Sequence, residues 1–257
     1  MSVGWDSPRT AALYERFNAG HGRYREANEA LVKHASLAGD LSVLDVAAGT
    51  GRTAEAALAS LGDGARVVCF EPARAMRKAG EERLTDPRVS WTGSLPERSF
   101  DRVLCGAAIW QLEPFGAGVE QLAARVAPGG AVCFTIPALY LGEGDEPGGG
   151  DDPLLVGLYA RLPAGGPAPS FEPLPDARGV EALLAERGLR PERWSFVRRM
   201  TQPELRDWLA ISPLTDRLLA GLDADERVGA LAEAYAGVDA ASWRWEHWRG
   251  WTAWRPR

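Results

Sequence analysis

Lysine, histidine and cysteine are scarce in this 257-residue sequence, and it contains no long apolar run. Lys33 and Lys78 are the only lysines, and 29 basic against 35 acidic side chains give a net charge of -6. This balance disfavours a polyanionic partner, so we expect no nucleic-acid partner. The first ten residues have neither a basic start nor an apolar run, and no stretch of about 18 apolar residues occurs. These absences predict a cytoplasmic protein without a membrane partner.

The three cysteines also exclude a class of site. Cys69, Cys105 and Cys133 are widely separated, and each lies within a short run typical of a buried strand. Because metal-ligand spacing is absent, we expect reduced core cysteines and no metal site.

An alternation of short apolar runs and amphipathic stretches fills residues 42–137 and predicts a parallel sheet flanked by helices. The predicted strands are residues 42–46, 66–70, 88–91, 102–106 and 131–136. The predicted helices between them are residues 52–60, 73–84 and 118–126. Residues 128–130, Pro-Gly-Gly, predict a sharp turn before the fifth strand.

Residues 142–175 are rich in glycine and proline and predict a lid or disordered loop with one short helix at residues 154–161. After this segment the pattern predicts helices at residues 177–187, 202–209 and 223–235. Further strands are predicted at residues 192–197 and 250–254.

The strongest local signal is the apolar strand that ends in Asp45-Val46-Ala47-Ala48-Gly49-Thr50-Gly51. Glycines at 49 and 51 permit backbone torsions and a close ligand approach that a Cβ blocks. The free N–H groups of the following helix favour a carboxylate or phosphate. Asp45, at the strand end, is suited to accept hydrogen bonds from a ligand ammonium group.

Glu71 ends the second predicted strand, where an acidic side chain can accept both hydroxyl hydrogens of a ribose. The alternative is a helix N-terminal charge before Pro72. The glycines also satisfy the G-x-G-x-x-G/A pattern of dinucleotide-binding proteins. A carboxylate at Asp45 repels a pyrophosphate and attracts an amino acid's ammonium, which favours an aminoacyl-nucleoside over a dinucleotide.

Four successive motifs resemble those of the class I S-adenosylmethionine (SAM)-dependent methyltransferases, particularly the type 11, ubiquinone-biosynthesis-like branch. They are the glycine loop at 45–51, the acidic strand end at 68–73, the adenine-side motif at 93–103 and the turn at 127–130. The resemblance implies an α/β three-layer sandwich: a seven-stranded, mostly parallel Rossmann-like sheet with an antiparallel last strand and an inserted lid.

The resemblance also implies one domain and SAM as its cofactor. An N-terminal helical cover (1–40) precedes the SAM-binding core (41–137), a flexible lid (138–176) and a C-terminal half with acceptor-pocket elements (177–257). The implied cofactor-binding residues are Tyr14, Asp45, Ala47, Gly49, Gly51, Glu71, Pro72, Ser94, Leu95 and Ala107.

Two positions depart from the family pattern. Ala47 replaces the usual first glycine, and alanine should still fit there if its φ stays negative. Ser94 stands where an acidic residue often contacts the adenine amino group, so a weaker acceptor is expected. We also expect Gly51→Val to abolish SAM binding by steric exclusion.

The expected acceptor is a small molecule, methylated at O, N or C, with Trp110 and Tyr140 in its pocket. Alignment alone can supply most of the rate, so a base is optional, and the catalytic candidates are His21 and His247. The last histidine lies among five tryptophans, whose faces also suit a cationic group. The oligomeric state is a monomer or a homodimer. The alternatives are a non-catalytic or repurposed SAM-binding protein and an NAD(P)-dependent oxidoreductase.

Overall fold

The computed structural model describes residues 4–143, 146–149, 174–211, 213, 219 and 222–257. The predicted helix at residues 154–161 and most of the predicted lid lie outside these residues. Within the described part of the chain, no helix is both long enough and apolar enough to cross a membrane.

One sheet of eight strands forms the centre of the molecule. The strands are β1 (Ser42–Val46), β2 (Arg66–Phe70), β3 (Val89–Thr92), β4 (Phe100–Cys105), β5 (Val126–Pro137), β6 (Glu146–Gly149), β7 (Arg190–Thr201) and β8 (Trp243–Trp254). Strands β1 to β5 are parallel to one another, and β8 is antiparallel to both β5 and β7. Seven strands thus follow the order β3-β2-β1-β4-β5-β8-β7. The predicted sheet is confirmed, and β6 adds an unpredicted short strand against the start of β8.

Eight α-helices and two short 3-10 helices surround the sheet in the described residues. They are α1 (Pro8–Gly20), α2 (Arg23–His34), α3 (Arg52–Leu58), α4 (Arg74–Arg83), α5 (Phe115–Ala124), α6 (Ala177–Glu186), α7 (Gln202–Leu209), α8 (Ala224–Tyr235), and the 3-10 turns Ile109–Gln111 and Ala138–Leu141. Several begin at side-chain caps that the sequence carries. Ser7 accepts from the Thr10 amide before α1, and Asp223 forms a capping box with Glu226 before α8.

Apolar side chains cover both faces of the sheet and produce three layers. On one face, Leu31 of α2 and Ala54 of α3 pack against β1, β2 and β4. On the other face, Leu122 of α5 and Leu184 of α6 pack against β4, β5 and β8. All three cysteines are buried and free, as predicted.

Three strands are longer than their sequence patterns predict, and one of them, β7, spans Arg190–Thr201 instead of residues 192–197. β5 begins at Val126, so the predicted turn at residues 128–130 lies inside the strand as an irregularity, with Gly129 at φ +75°. β8 begins at Trp243 rather than at residue 250, because the charged residues Arg244 and Glu246 are buried among partners from other elements. Burial of those charges is invisible in a local hydrophobic pattern.

The strand order reverses direction between β1 and β4. Successive strands run outward from β1 to β3 on one side, and from β4 to β5 on the other. The loops that leave the carboxyl ends of β1 and β4 therefore diverge and leave a crevice, the usual ligand position in open α/β sheets.

Candidate active site at the carboxyl ends of β1, β2 and β4

The loop after β1 is shaped by three left-handed residues. Ala47, Gly49 and Gly51 have φ of +55°, +57° and +82°, and Gly51 directly precedes α3. A short turn bond joins the Gly51 amide to the Ala48 carbonyl at 2.7 Å. Ala47 therefore lacks the negative φ that its fit was expected to require, and this alanine holds a conformation that costs an L-residue about 1–2 kcal/mol. We call residues 45–51 the cofactor turn.

Glu71 ties the end of β2 to this turn. Its Oε2 accepts from the Gly49 amide at 2.8 Å, and its Oε1 accepts from the Ala73 amide at 2.8 Å. Only 4% of the residue is exposed, and burial raises the pKa of its carboxyl despite both amides. Each carboxyl oxygen has one amide donor, which leaves acceptor capacity on both.

Asp45 lies fully buried beneath the cofactor turn. Its Oδ2 accepts from the Ala54 amide at 3.1 Å, whereas its Oδ1 has no hydrogen-bond partner among the described residues. Burial raises the pKa of this carboxyl to about 8, although the Ala54 amide opposes the rise. A buried oxygen without a donor is costly, which suits a carboxyl that awaits a cationic group.

The crevice at the strand ends contains a cavity that opens to solvent. Its walls are Trp5, Tyr14, Tyr24, Ala47, Gly49, Glu71, Met76, Gly106, Ala107, Ala108 and Gln111. A Cβ at Gly49 would point towards Met76, at 3.5 Å from its methyl carbon, and the Tyr14 hydroxyl, at 3.9 Å. Five predicted cofactor residues therefore meet in one cavity: Tyr14, Ala47, Gly49, Glu71 and Ala107.

The aromatic cover comes from the N-terminal segment. Trp5 and Tyr14 rings meet edge to face at 5.9 Å, and Tyr14 and Tyr24 lie 5.4 Å apart. The Trp5 indole donates to Gln111 Oε1 at 2.7 Å, which fastens this cover to the loop after β4. Trp5, Tyr24 and Gln111 were missed by sequence reasoning, because only the tertiary fold brings them together.

The other predicted cofactor residues do not line the cavity: Asp45, Gly51, Pro72, Ser94 and Leu95. A Cβ at Gly51 would lie 2.9 Å from the Trp91 ring, so substitution there strikes protein atoms rather than a ligand. This corrects the reason expected for Gly51→Val. Pro72 and Ser94 are exposed, and Leu95 is half-buried against the core.

The predicted acceptor residues lie together. The rings of Trp110 and Tyr140 are 5.1 Å apart, and Trp110 is 6.4 Å from the fully buried Trp248. Both residues are half-buried and neither lines the cavity.

Neither candidate histidine lines the cavity. His21 Nε2 lies 2.9 Å from Asp207 Oδ2, in a separate groove between α1, α7 and α8. His247 lies opposite Val197 in the β7–β8 ladder, on the strand face opposite to that of Trp248. Their catalytic role stays a prediction.

Comparison with known proteins gives the class. Residues 44–134, about a third of the chain, match the model of a family described as a methyltransferase domain. A putative methyltransferase from Bacillus halodurans superposes with a TM-score of 0.58 at 18% identity, covering 90% of this chain and 100% of that one.

Two further structures are similar. A putative methyltransferase in complex with the Haloferax volcanii Trm112 methyltransferase activator has a TM-score of 0.59 at 13% identity, with 100% of both chains covered. Phosphoethanolamine N-methyltransferase 2 of Haemonchus contortus, with S-adenosylhomocysteine, has a TM-score of 0.51 at 18% identity, covering 90% of this chain and 52% of that one. No curated protein matches.

The fold is therefore that of the class I SAM-dependent methyltransferases, and the resemblance stated from the motifs is confirmed. Residues 44–134 are the part of the chain that matches the methyltransferase-domain model. This family match indicates SAM as the cofactor.

Proposed function

We propose that the chain transfers a methyl group from SAM to an O, N or C atom of a small-molecule acceptor. The observation that carries the proposal is the cavity at the cofactor turn, where Gly49 and Glu71 are hydrogen-bonded to each other and both face the same space. SAM supplies an electrophilic methyl group when it is bound.

The residues present fit an aminoacyl-nucleoside. The acceptor capacity of Glu71 suits the two hydroxyls of a ribose. Asp45 lies beneath the turn and does not line the cavity, so its contact with a ligand ammonium group stays a prediction. Gly49 leaves open the space that a side chain would occupy between the turn, Met76 and Tyr14. We assign cofactor binding to residues 41–137 and acceptor binding to elements of residues 177–257.

The cover supports a small acceptor. Trp5, Tyr14 and Tyr24 close over the cavity, and a net charge of -6 disfavours a polyanionic substrate. An aromatic cover of this kind excludes water and restricts the size of what enters.

Alignment is the proposed source of catalysis. Glu71 and the two tyrosines are the titratable groups of the cavity wall. Burial raises the pKa of both tyrosines, so neither is ionised at neutral pH. Holding a nucleophile in line with the methyl group supplies rate without a base, and a nucleophile that is already neutral needs none.

The test is methyl transfer to a cell extract. Purified protein with deuterated-methyl SAM and the low-molecular-weight fraction of an extract should produce a labelled compound, detected by mass spectrometry, together with S-adenosylhomocysteine. Gly49→Val, whose side chain fills space in the cavity, is the control and should give no labelled product. Label that enters only the macromolecular fraction contradicts a small acceptor, and SAM binding without any transfer favours a repurposed SAM-binding protein.

A further inference from the structure

A cluster of buried charges lies behind the aromatic cover. Its members come from α2, β7, α7 and β8, and each is at most 5% exposed. We call Arg23, Arg198, Arg244, Glu204 and Glu246 the buried arginine cluster.

Glutamates hold the first two arginines in place. Arg23 donates to Glu246 Oε1 through Nε at 2.9 Å and Nη2 at 2.6 Å. Arg198 donates to Glu246 Oε2 at 3.1 Å and to both Glu204 oxygens at 2.8 and 2.9 Å. Glu204 also accepts from the Arg23 backbone amide at 3.0 Å. These bonds fix the guanidinium of Arg23 with little remaining freedom.

The third guanidinium nitrogen of Arg23, Nη1, takes no part in these bonds. Nη1 is buried and has no hydrogen-bond partner among the described residues. The guanidinium carbon lies 4.2 Å from the Trp208 ring centroid and 5.0 Å from that of Trp248. Trp248, one of the five tryptophans that the sequence suggested for a cationic group, thus contacts the protein's own cation, and the free nitrogen of that cation suits an anion.

The cluster adjoins the proposed acceptor region. Tyr24 lines the cavity, its ring centroid is 5.5 Å from the Arg23 guanidinium carbon, and its hydroxyl accepts from the Trp208 indole at 3.0 Å. Trp248, whose ring centroid is 5.0 Å from the Arg23 guanidinium carbon, lies 6.4 Å from the Trp110 ring, which packs on Tyr140. The predicted acceptor residues are therefore connected to this arginine through Trp248.

We propose that Arg23 recognises the methyl acceptor by binding a carboxylate group of it through Nη1. The inference rests on the proposed function and names the substrate class. One nitrogen with two N–H groups suits a planar monoanion, whereas a dianionic phosphate needs more donors than this place offers. The rings of Tyr24, Trp208 and Trp248 surround the Arg23 guanidinium, so an aromatic or branched organic acid is the expected class.

The test compares an acid with its neutral isostere. Sodium benzoate and benzamide are titrated into the full-length protein by calorimetry, with and without S-adenosylhomocysteine. We expect benzoate to bind about tenfold or more tightly than benzamide, as a charge-assisted hydrogen bond requires. Equal binding of the two, or tighter binding of phenyl phosphate than of benzoate, overturns the proposal.

Variants locate the effect. Arg23→Gln/Glu246→Gln removes both charges of the pair and should erase the preference for benzoate. Arg102→Gln removes a buried arginine that bonds only to backbone carbonyls of Asp101, Ala35 and Ser36, and should keep the preference. A preference that persists in the double variant overturns the assignment.

Two readouts keep the outcomes separate. If the double variant does not fold, Arg23→Lys is used in its place, because lysine retains the charge but lacks the planar guanidinium. The preference of this variant for benzoate over benzamide should be smaller than that of wild type, and an unchanged preference overturns the proposal. S-adenosylhomocysteine binding in the same titrations reports the proposed function by itself. Failure of that binding with an intact benzoate preference refutes the proposed function only.

Discussion

The cofactor turn lines the cavity, the buried arginine cluster contacts the Tyr24 ring of the same cavity, and the two regions are built in different ways. The turn uses backbone amides, left-handed residues and the carboxyls of Asp45 and Glu71, all within one βαβ unit. The cluster uses side chains from four elements, and Arg23 and Glu246 are 223 positions apart in the chain. The turn therefore depends on local conformation, and the cluster depends on the whole fold.

The difference teaches where each region is vulnerable. In the turn, one added methyl group changes a backbone torsion or a single contact, so the loss of folding stability is limited to that contact. In the cluster, removal of one charge leaves its partners buried and uncompensated, and the cost is larger.

The largest effect is expected from breaking the cluster. Glu246→Leu leaves Arg23 and Arg198 without their shared partner and should lower the free energy of unfolding by about 3–5 kcal/mol, measured by urea denaturation. Glu29→Ala breaks the exposed pair with Arg25 and should change it by less than about 1 kcal/mol. Equal effects of the two substitutions would contradict the role given to burial.

Gly51→Ala sharpens the account of the turn. The new Cβ would lie 2.9 Å from Trp91 at a φ of +82°, so the free energy of unfolding should fall by about 2–4 kcal/mol. Gly188→Ala has φ +73° and nothing within 4 Å, and should cost only about 1–2 kcal/mol. The affinity of folded Gly51→Ala for S-adenosylhomocysteine should stay close to that of wild type. Loss of binding without loss of stability would refute the placement of Gly51 outside the cavity wall.

Asp45 makes the turn sensitive to pH. The folded carboxyl keeps its proton up to a pKa of about 8, whereas the unfolded one loses it near 3.8. Between these values the folded state binds more protons, so a rise in pH lowers stability. From pH 6 to 8 wild type should lose about 2 kcal/mol relative to Asp45→Asn in urea denaturation. Parallel pH profiles of the two proteins would disprove the buried, protonated carboxyl.

Glu71→Ala tests the ribose contact. Loss of one or two hydrogen bonds should weaken S-adenosylhomocysteine binding by about 1–3 kcal/mol, measured by calorimetry on folded protein. Glu82→Ala on the exposed side of α4 is the control and should leave the affinity unchanged. An unchanged affinity in Glu71→Ala would remove this carboxyl from the site.

Ala47→Gly should give the smallest effect, and this effect is a rise in the free energy of unfolding. Relief of the left-handed strain at φ +55° outweighs the added freedom of the unfolded chain, so stability should rise by about 0.5–1 kcal/mol in thermal or urea unfolding. Ala59→Gly, at φ -65°, should lose about as much. A destabilised Ala47→Gly is the contrary result.

The sequence allowed the cofactor turn to be located because its residues are adjacent and each has a conformational reason. Gly49 and Glu71 were placed from their positions at strand ends, and parallel strands bring such ends together. The torsion of Ala47 escaped prediction, since an alanine in a left-handed conformation is set by the surrounding hydrogen bonds rather than by its own preference.

The cover and the cluster were beyond reach of local patterns. Trp5 meets Gln111 only after α1 folds over the strand ends, and no periodicity encodes that contact. Arg244 and Glu246 were left out of the predicted last strand, because a charged residue is expected to be exposed unless its buried partner is known. Both regions escaped prediction because their contacts join residues that are far apart in the sequence.

Binding of S-adenosylhomocysteine to Gly49→Val tests the central claim most directly. Calorimetry should show one site in wild type and in Gly188→Val, which carries a valine at a similar φ far from any contact. Folded Gly49→Val, whose side chain fills the space beside Met76 and Tyr14, should show no binding at concentrations that saturate wild type. Wild-type protein that does not bind, or a folded Gly49→Val that binds equally well, would contradict the account.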